Sequence, residues 1–330
     1  MSVFAEIAGW GKYLPSRVLS NFDLEKMVDT SDEWIRTRSG ISERRLVAEG
    51  EATSHMATRA AQEALERAGI GPADLDLIIV ATITPDYPSF PATAPLVQHM
   101  LGAEGCGAFD LVAGCSGFVY GLVTGTQFIQ SGACRNVLVI GAESLSRVLD
   151  WTDRTTCVLF GDAAGAVVLR ATDRPGGLLS YVLGSDGSGA ESLYIPSGGT
   201  RSPATHETVD RRQHYIKMNG REVFKFASRI LPLAFHQAVE KAGVQPEDVD
   251  LLIPHQANIR IIQSARDNLL IDRDSVYVNV DRYGNTSAAS IPVALCEAIG
   301  EGRLQPGALL GLVAFGAGLT WASALWRWQG

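Results

Sequence analysis

Cysteine is scarce: five residues in 330, at 106, 115, 134, 157 and 296. Their number is odd, and neither a CxxC pair nor a histidine cluster accompanies them. A disulfide framework and a zinc site are therefore excluded as organising features, and a reducing, cytoplasmic compartment is expected. Basic charge is also short. Lys and Arg number 28 against 36 Asp and Glu, a net charge of -8, which argues against a general nucleic-acid binder. The first residues, "MSVFAEIAGWGKYLP", lack the basic start and continuous apolar run of a signal peptide. Two stretches, 111–134 and 304–326, carry no charge at all, yet glycines interrupt both. They read as buried helix and buried strands, and no membrane association is expected.

What the chain has is glycine, 34 residues of it, and a repeat. Residues 64–77, "ALERAGIGPADLDL", return at 238–251 as "AVEKAGVQPEDVDL", with eight identities in fourteen positions. Each copy runs from a helix end through an Ala-Gly stop into a strand. A second echo, "VLVIGA" at 137–142 against "GLVAFGA" at 311–317, lies at nearly the same offset. Two matches at nearly the same offset indicate a duplicated unit. Helical patterns fall at about 53–68, 91–101, 114–131, 223–242, 257–269 and 287–300. Short apolar runs fall at 75–82, 135–141, 163–169, 249–253, 276–280 and 308–315. This alternation predicts an α/β fold with buried sheets, in two similar halves, 1–172 and 173–330, about a pseudo-two-fold axis. The polar segment 196–215 reads as a long loop connecting the halves.

Within this frame "DLVAGCSGFVYGL", 110–122, presents Cys115 between a strand and a helix, with small residues on both sides. Buried cysteine is commonly a space-filler. A helix N-terminus, however, offers unpaired N–H groups and partial positive charge, and in such places the thiol pKa falls from about 8.5 toward about 3.5–7.5. The same N–H groups can hold an oxyanion. Among six histidines His255 stands apart. In "DLLIPHQANIR" it follows an apolar strand and precedes a helix, and strand ends are where α/β sites assemble. Asn285, in "VDRYGNTSAASIP", precedes a helix of small residues, a place an ordinary N-cap also explains. "AFGAGLTW" at 314–321 is a glycine turn between strands, able to aim an N–H into a pocket.

"AGCSGF" with Cys115, "PHQANIRI" with His255 and "RYGNTSAAS" with Asn285, together with "TSDEWIRTRSGI" and "DWTDRTTCVLFGDAAGA", resemble the β-ketoacyl-acyl-carrier-protein synthase III family over nearly the whole chain. The resemblance implies the thiolase fold and the first condensation of fatty-acid synthesis, in which a short acyl-CoA primer meets malonyl-acyl carrier protein. It implies Cys115 as nucleophile, His255 and Asn285 as the pair that stabilises the malonyl enolate, and the backbone N–H groups of Cys115 and Ala317 as a second oxyanion hole. The family carries Gly where Ala317 stands. Coenzyme A contacts are implied at Trp34, Arg38, Arg154, Gly220 and Asn258, with Ser39 in place of a family Thr. Phe90, Leu145, Leu159 and Phe160 resemble acyl-pocket positions, Phe90 being contributed by the other subunit of a homodimer. Arg260, Lys225, Arg221 and Arg266 form the implied docking patch for the acidic carrier, although Asp267 and Asn268 stand where the family is basic. No cofactor or metal is implied beyond the thioester substrate.

Three other readings compete. A papain-like cysteine protease has the same Cys, His, Asn order, and here His255 lies 140 and Asn285 170 residues after Cys115. The local C-G-[SA]-C-[WY] signature and a secretory context are absent. A thiolase-fold relative making a quinolone or polyketide product would use the same three residues. A non-catalytic acyl-CoA binder gives no reason for Cys, His and Asn at three separate motifs.

Overall fold

The computed structural model describes residues 3–330; Met1 and Ser2, which begin both the N-terminal stretch and the predicted first half, lie outside the described residues. From the N-terminus run β1 (Phe4–Tyr13), β2 (Arg17–Ser20), α1 (Asn21–Leu24), α2 (Asp32–Ser39), β3 (Glu43–Leu46) and α3 (Thr53–Ala68). Then come β4 (Leu77–Ala81), α4 (Thr93–Leu101), β5 (Gly107–Leu111), α5 (Gly117–Gln130), β6 (Asn136–Glu143) and β7 (Ala163–Thr172). The second part holds β8 (Gly177–Ser185), β9 (Leu193–Tyr194), α6 (His206–Asp210), β10 (Lys217–Met218), α7 (Gly220–Ala242) and β11 (Leu251–Pro254). It closes with α8 (Ile259–Arg266), α9 (Val280–Tyr283), α10 (Ser290–Gly300), β12 (Leu309–Gly316) and β13 (Thr320–Arg327).

Two sheets dominate. The first has strand order β1-β7-β6-β4-β5, the second β11-β12-β13-β8. Read from the opposite edge, β8-β13-β12-β11 repeats β1-β7-β6-β4, with each corresponding pair running in the same sense. The two internal echoes therefore occupy equivalent strands, β4 with β11 and β6 with β12. Strand β4, "LIIVA", is apolar throughout because both faces are covered. Ile78 and Val80 face the alanine-rich side of α3, while Ile79 faces a middle layer formed by α5 and α10 between the sheets. Phe226, Ile230 and Phe235 of α7 cover the outer face of the second sheet. The result is five alternating layers, helix–sheet–helix–sheet–helix, whose central helices both begin beside the sheet ends.

Three expectations are corrected. Residues 276–280 form no strand. Val276 makes one isolated parallel bridge to Leu252, in the place that β5 takes in the first sheet. There the Gln256 side chain replaces a ladder: its Nε2 donates to Tyr277 O at 3.1 Å, and its Oε1 accepts from Asn279 N at 2.9 Å. The chain then turns into α9. The junction between the sheets falls at residues 173–176, so the polar segment 196–215 follows β8 and lies inside the second part, where Thr205 caps the short α6. Helix 257–269 shortens to α8, because Asn258 Oδ1 accepts from Arg260 N and caps it.

Candidate active site

Cys115 sits in a single 3-10 turn, Gly114–Ser116, that leads from the end of β5 into α5. Gly114 has φ +55°, a left-handed conformation that glycine adopts without steric cost. A Cβ there would lie 2.7 Å from Ala317 N. Reciprocally, a Cβ on Gly316 would overlap Cys115 N. The Cys115 turn of the first half and the β12–β13 turn of the second thus meet backbone to backbone, which brings the Cys115 and Ala317 backbones close together. Gly316→Ala should force these turns apart. Loss of acylation of Cys115, with secondary structure by circular dichroism unchanged, is the expected result.

His255 follows β11 and is fully buried, edge-on to Phe315 with centroids 5.5 Å apart. Its Nδ1 lies 2.7 Å from Ser290 Oγ. That oxygen also accepts from Gln256 N at 3.3 Å, so the hydroxyl proton is free to point at Nδ1. In the tautomer that accepts this proton at Nδ1, the ring proton is on Nε2, which is buried without a partner. Burial pushes the His255 pKa down to about 3, and the ring is neutral at physiological pH. Asn285 is held by its backbone, its N donating to Leu159 O at 2.8 Å and its O accepting from Gly161 N at 3.0 Å. Its Oδ1 accepts from Ser287 N at 2.9 Å, leaving Nδ2 as the free donor. His255 and Asn285 thus present two uncharged donors.

Cys115, His255 and Asn285 line one cavity of about 510 Å³. Beyond the thiol a second, apolar chamber of about 240 Å³ is lined by Leu145, Val148, Phe160, Leu193 and Ile216. Cys115 borders both. Burial pushes its thiol up to about 12. Burial thus acts against the depression expected at a helix N-terminus. Toward the surface the cavity is walled by Trp34, Arg38, Gly220, Arg221, Asn258 and Arg260. The Arg154 guanidinium stands 5.4 Å from the centroid of the Trp34 ring and donates to Asp29 O at 2.5 Å. Arg38 stands 5.9 Å from the same ring. Among the described residues no group of three or more His, Cys, Asp or Glu side chains is placed to hold a metal ion, and no helix is long and apolar enough to cross a membrane.

The models of the two "3-Oxoacyl-[acyl-carrier-protein (ACP)] synthase III" domains match residues 109–187 and, for the C-terminal domain, 231–328. A β-ketoacyl-[acyl-carrier-protein] synthase III of Caldanaerobacter subterraneus subsp. tengcongensis is 55% identical over 99% of this chain and 98% of its own. The chain belongs to the β-ketoacyl-[acyl-carrier-protein] synthase III family. It is an acyltransferase of the condensing type with the thiolase fold. The crystal structure of 3-oxoacyl-[acyl-carrier-protein] synthase III from Aquifex aeolicus superposes with a TM-score of 0.91 at 51% identity, covering 98% of this chain and all of that one (100%). The priming β-ketosynthase of the R1128 polyketide pathway superposes equally, at 0.91, with 34% identity over 99% and 97% of the two chains.

Against this synthase III scaffold the sequence-predicted residues sort clearly. Cys115, His255, Asn285, Trp34, Arg38, Gly220, Asn258, Leu159, Phe160, Arg221 and Arg260 share the main cavity, and Leu145 lines the inner chamber. Arg154 joins through its stack on Trp34. Phe90 lies in neither chamber and is 85% exposed. Asn258 already uses Oδ1 as the α8 cap and Nδ2 on Arg38 O at 3.0 Å. Lys225 is exposed on α7, whereas Arg266 is half-buried with an unpartnered Nε. Sequence reading missed Ser287, Ser290 and Glu143. The first two sat unmarked in the small-residue run after Asn285. Glu143 had a signal, a lone carboxylate ending the apolar run "VLVIGAE".

Proposed function

We propose that this chain transfers a short acyl group from coenzyme A to Cys115 and condenses it with malonyl-acyl carrier protein. The products are 3-oxoacyl-acyl carrier protein, carbon dioxide and free coenzyme A. The observation that carries this reading is the unpartnered Nε2 of neutral His255 and the free Nδ2 of Asn285 on the cavity that Cys115 borders, a pair of uncharged donors when the ring proton is on Nε2. Loss of carbon dioxide from a malonyl thioester leaves an enolate oxygen. Two uncharged donors stabilise that charge without surrendering a proton to it. The enolate carbon then attacks the acyl-Cys115 carbonyl, whose oxygen falls to the N–H groups of Cys115 and Ala317. Cys115 leaves as thiolate.

Trp34, Arg38 and Arg154 are assigned to the adenine and phosphates of coenzyme A. For an adenine to enter between Trp34 and Arg154, the guanidinium must leave the ring face and its bond to Asp29. Leu145, Leu159 and Phe160 are assigned to the acyl chain. Phe90, with Tyr87 and Val112 also exposed, is assigned to a homodimer interface, reaching the partner's apolar chamber. The halves 1–172 and 173–330 are read as one duplicated unit, which the matched strand orders support. Action in the cytoplasm follows from the carrier-borne substrate. A secondary-metabolic role is the second reading, favoured by the R1128 likeness. Turnover of a panel of acyl-CoAs with the carrier of fatty-acid synthesis separates the two. Efficient condensation with a short primer supports the first; condensation only with a dedicated carrier supports the second.

Docking rests on local charge, because enzyme and carrier are both acidic overall. Arg260 is exposed at the cavity mouth, its guanidinium 5.5 Å from the Phe224 ring centroid. Arg260→Glu should slow condensation with malonyl-acyl carrier protein while leaving acylation by acetyl-CoA nearly intact. Added salt should narrow the difference, since it screens the field that steers encounter. Both half-reactions, measured at low and high ionic strength, check this. Equal losses in both would assign Arg260 to the site's shape, and no loss would move the patch to Lys225 and Arg221.

A further inference from the structure

Glu143 ends β6 in the first half and is fully buried. Its carboxylate accepts from Thr84 Oγ1 at 2.5 Å, Ser287 Oγ at 2.9 Å, Ile83 N at 3.2 Å and Thr82 Oγ1 at 3.3 Å. Among the described residues no cation pairs with it. Burying a carboxyl group among uncharged donors costs stability, and the catalytic assignments above make no use of it. Thr82, Ile83 and Thr84, on the stretch after β4, fix it as a rigid post. Ser287 leads from it into the site.

Ser287 opens the 3-10 turn Ser287–Ala289 ahead of α10. A Cβ on Gly141 of β6 would lie 2.2 Å from Ala288 O, so this turn packs directly on the strand that carries Glu143. Ser287 has φ +48°, a strained region for serine. In that conformation both its polar ends are engaged: Oγ on Glu143, and N–H on Asn285 Oδ1 at 2.9 Å. The second bond is an Asx turn, from an asparagine side chain to the N–H two residues on. With Oδ1 bound there, Nδ2 is the end of the amide left for the cavity. The bonds of the Asn285 backbone to Leu159 and Gly161 fix its main chain only; the Ser287 N–H orients its side chain.

We propose that Glu143 is a positioning residue: through Ser287 it holds the Asn285 amide in the orientation that offers Nδ2 to the malonyl thioester. The proposal deepens the reading of Asn285 as an enolate donor and rests on it. Glu143 lines neither chamber and touches no substrate. Its bond to Ser287 Oγ offsets the strain at φ +48°. The chain beyond Ser287 is committed to α10, so without that bond the strain is relieved by rotation of the Thr286–Ser287 peptide plane. That rotation carries the N–H away from Oδ1 and frees the amide to turn. A post on the first half thus orients a donor on the second. Acylation, assigned to Cys115 and the N–H groups of Cys115 and Ala317, does not call on Asn285.

Ser287→Ala and Ser287→Gly are the deciding pair. Both delete Oγ and keep the N–H. Alanine retains the strain without the anchor, whereas glycine adopts a positive φ without steric cost. Malonyl decarboxylation and condensation are expected to fall about tenfold or more in Ser287→Ala, short of the roughly 10²–10³-fold for removing a donor outright. Ser287→Gly should lose clearly less, although glycine ordinarily loosens a turn. Glu143→Ala should match Ser287→Ala. Glu143→Gln should restore most of the rate, because the Ser287 hydroxyl can accept from its amide as well as donate to it. Acylation from acetyl-CoA, read by intact-protein mass, should hold in all four variants. The Ser287 pair decides if Glu143→Ala does not fold. Losses in Ser287→Gly as large as in Ser287→Ala would overturn the proposal, as would wild-type decarboxylation in Ser287→Ala. Equal losses of acylation would overturn it too, since they mark a general loosening of the site. Asn285→Ala, measured beside them, separates the two levels. Wild-type decarboxylation in that variant removes the donor assignment and the positioning role with it. Slow decarboxylation there, with none in the Ser287 and Glu143 variants, removes the positioning role alone.

Discussion

Replacing Cys115 with alanine should abolish acyl-enzyme formation from acetyl-CoA while part of the malonyl decarboxylation survives. On the proposed assignment the two half-reactions draw on different groups. Acylation requires the Sγ that borders both the main cavity and the inner apolar chamber. The other four cysteines, Cys106, Cys134, Cys157 and Cys296, line neither. Decarboxylation is assigned to the donors on His255 and Asn285, whose anchors at Ser290, Leu159, Gly161 and Ser287 N do not involve the thiol. Alanine removes one sulfur and leaves the Gly114–Gly316 contact as it is. The loss of acylation should therefore be complete, with no change in folded structure. Intact-protein mass with acetyl-CoA and carbon dioxide release from malonyl-acyl carrier protein read the two effects separately. Acylation of the variant at the wild-type rate would transfer the nucleophile role to another cysteine.

The second large effect belongs to the enolate pair. His255→Ala or Asn285→Ala should slow condensation roughly 10²–10³-fold, about 2.7–4 kcal/mol, the usual scale for removing one oxyanion donor from a dry site. Acylation of Cys115 should suffer far less. If acylation fell as far as condensation, the imidazole would be acting as base toward the thiol. The pH profile supplies an independent check. His255 is buried and neutral, its pKa lowered to about 3 by desolvation. The condensation rate should therefore carry no limb near the ordinary imidazole pKa of about 6.5. Stability follows the same sign. The folded protein binds no proton at His255 where the unfolded chain does, so this residue costs stability progressively as pH falls below about 6.5 toward 3.

Periodicity and turn chemistry made the interior of the fold legible. Strands such as β4, β6 and β12 are apolar on both faces, and helices such as α3 end on a left-handed glycine, so each announces its bounds. The edges were harder. β1 and β8 mix buried with exposed positions and carry glycines, so their alternation is diluted; they take equivalent places at the edges of the two sheets. The 276–280 run failed for a nameable reason. Gln256, a single side chain far away in sequence, takes the backbone bonds a strand would have used. The site divides the same way. Cys115, His255 and Asn285 lie at element ends where a motif can be seen. The polar partners that tune them do not. Ser290 meets His255 Nδ1 only because α10 starts near the end of β11, and Ser287 meets Glu143 across 144 residues of chain. The burial of the thiol, which raises its pKa, was likewise not visible in the motif.

Condensation by a single cysteine across two half-reactions is tested most directly by charging the protein with acetyl-CoA, removing free coenzyme A, and adding malonyl-acyl carrier protein. Mass spectrometry of the Cys115 peptide is read before and after the addition. The expected result is an acetyl group on Cys115 that disappears as 3-oxobutanoyl-acyl carrier protein forms in equal amount. An acetyl group that never reaches Cys115, or one that stays there while the product accumulates, would contradict it.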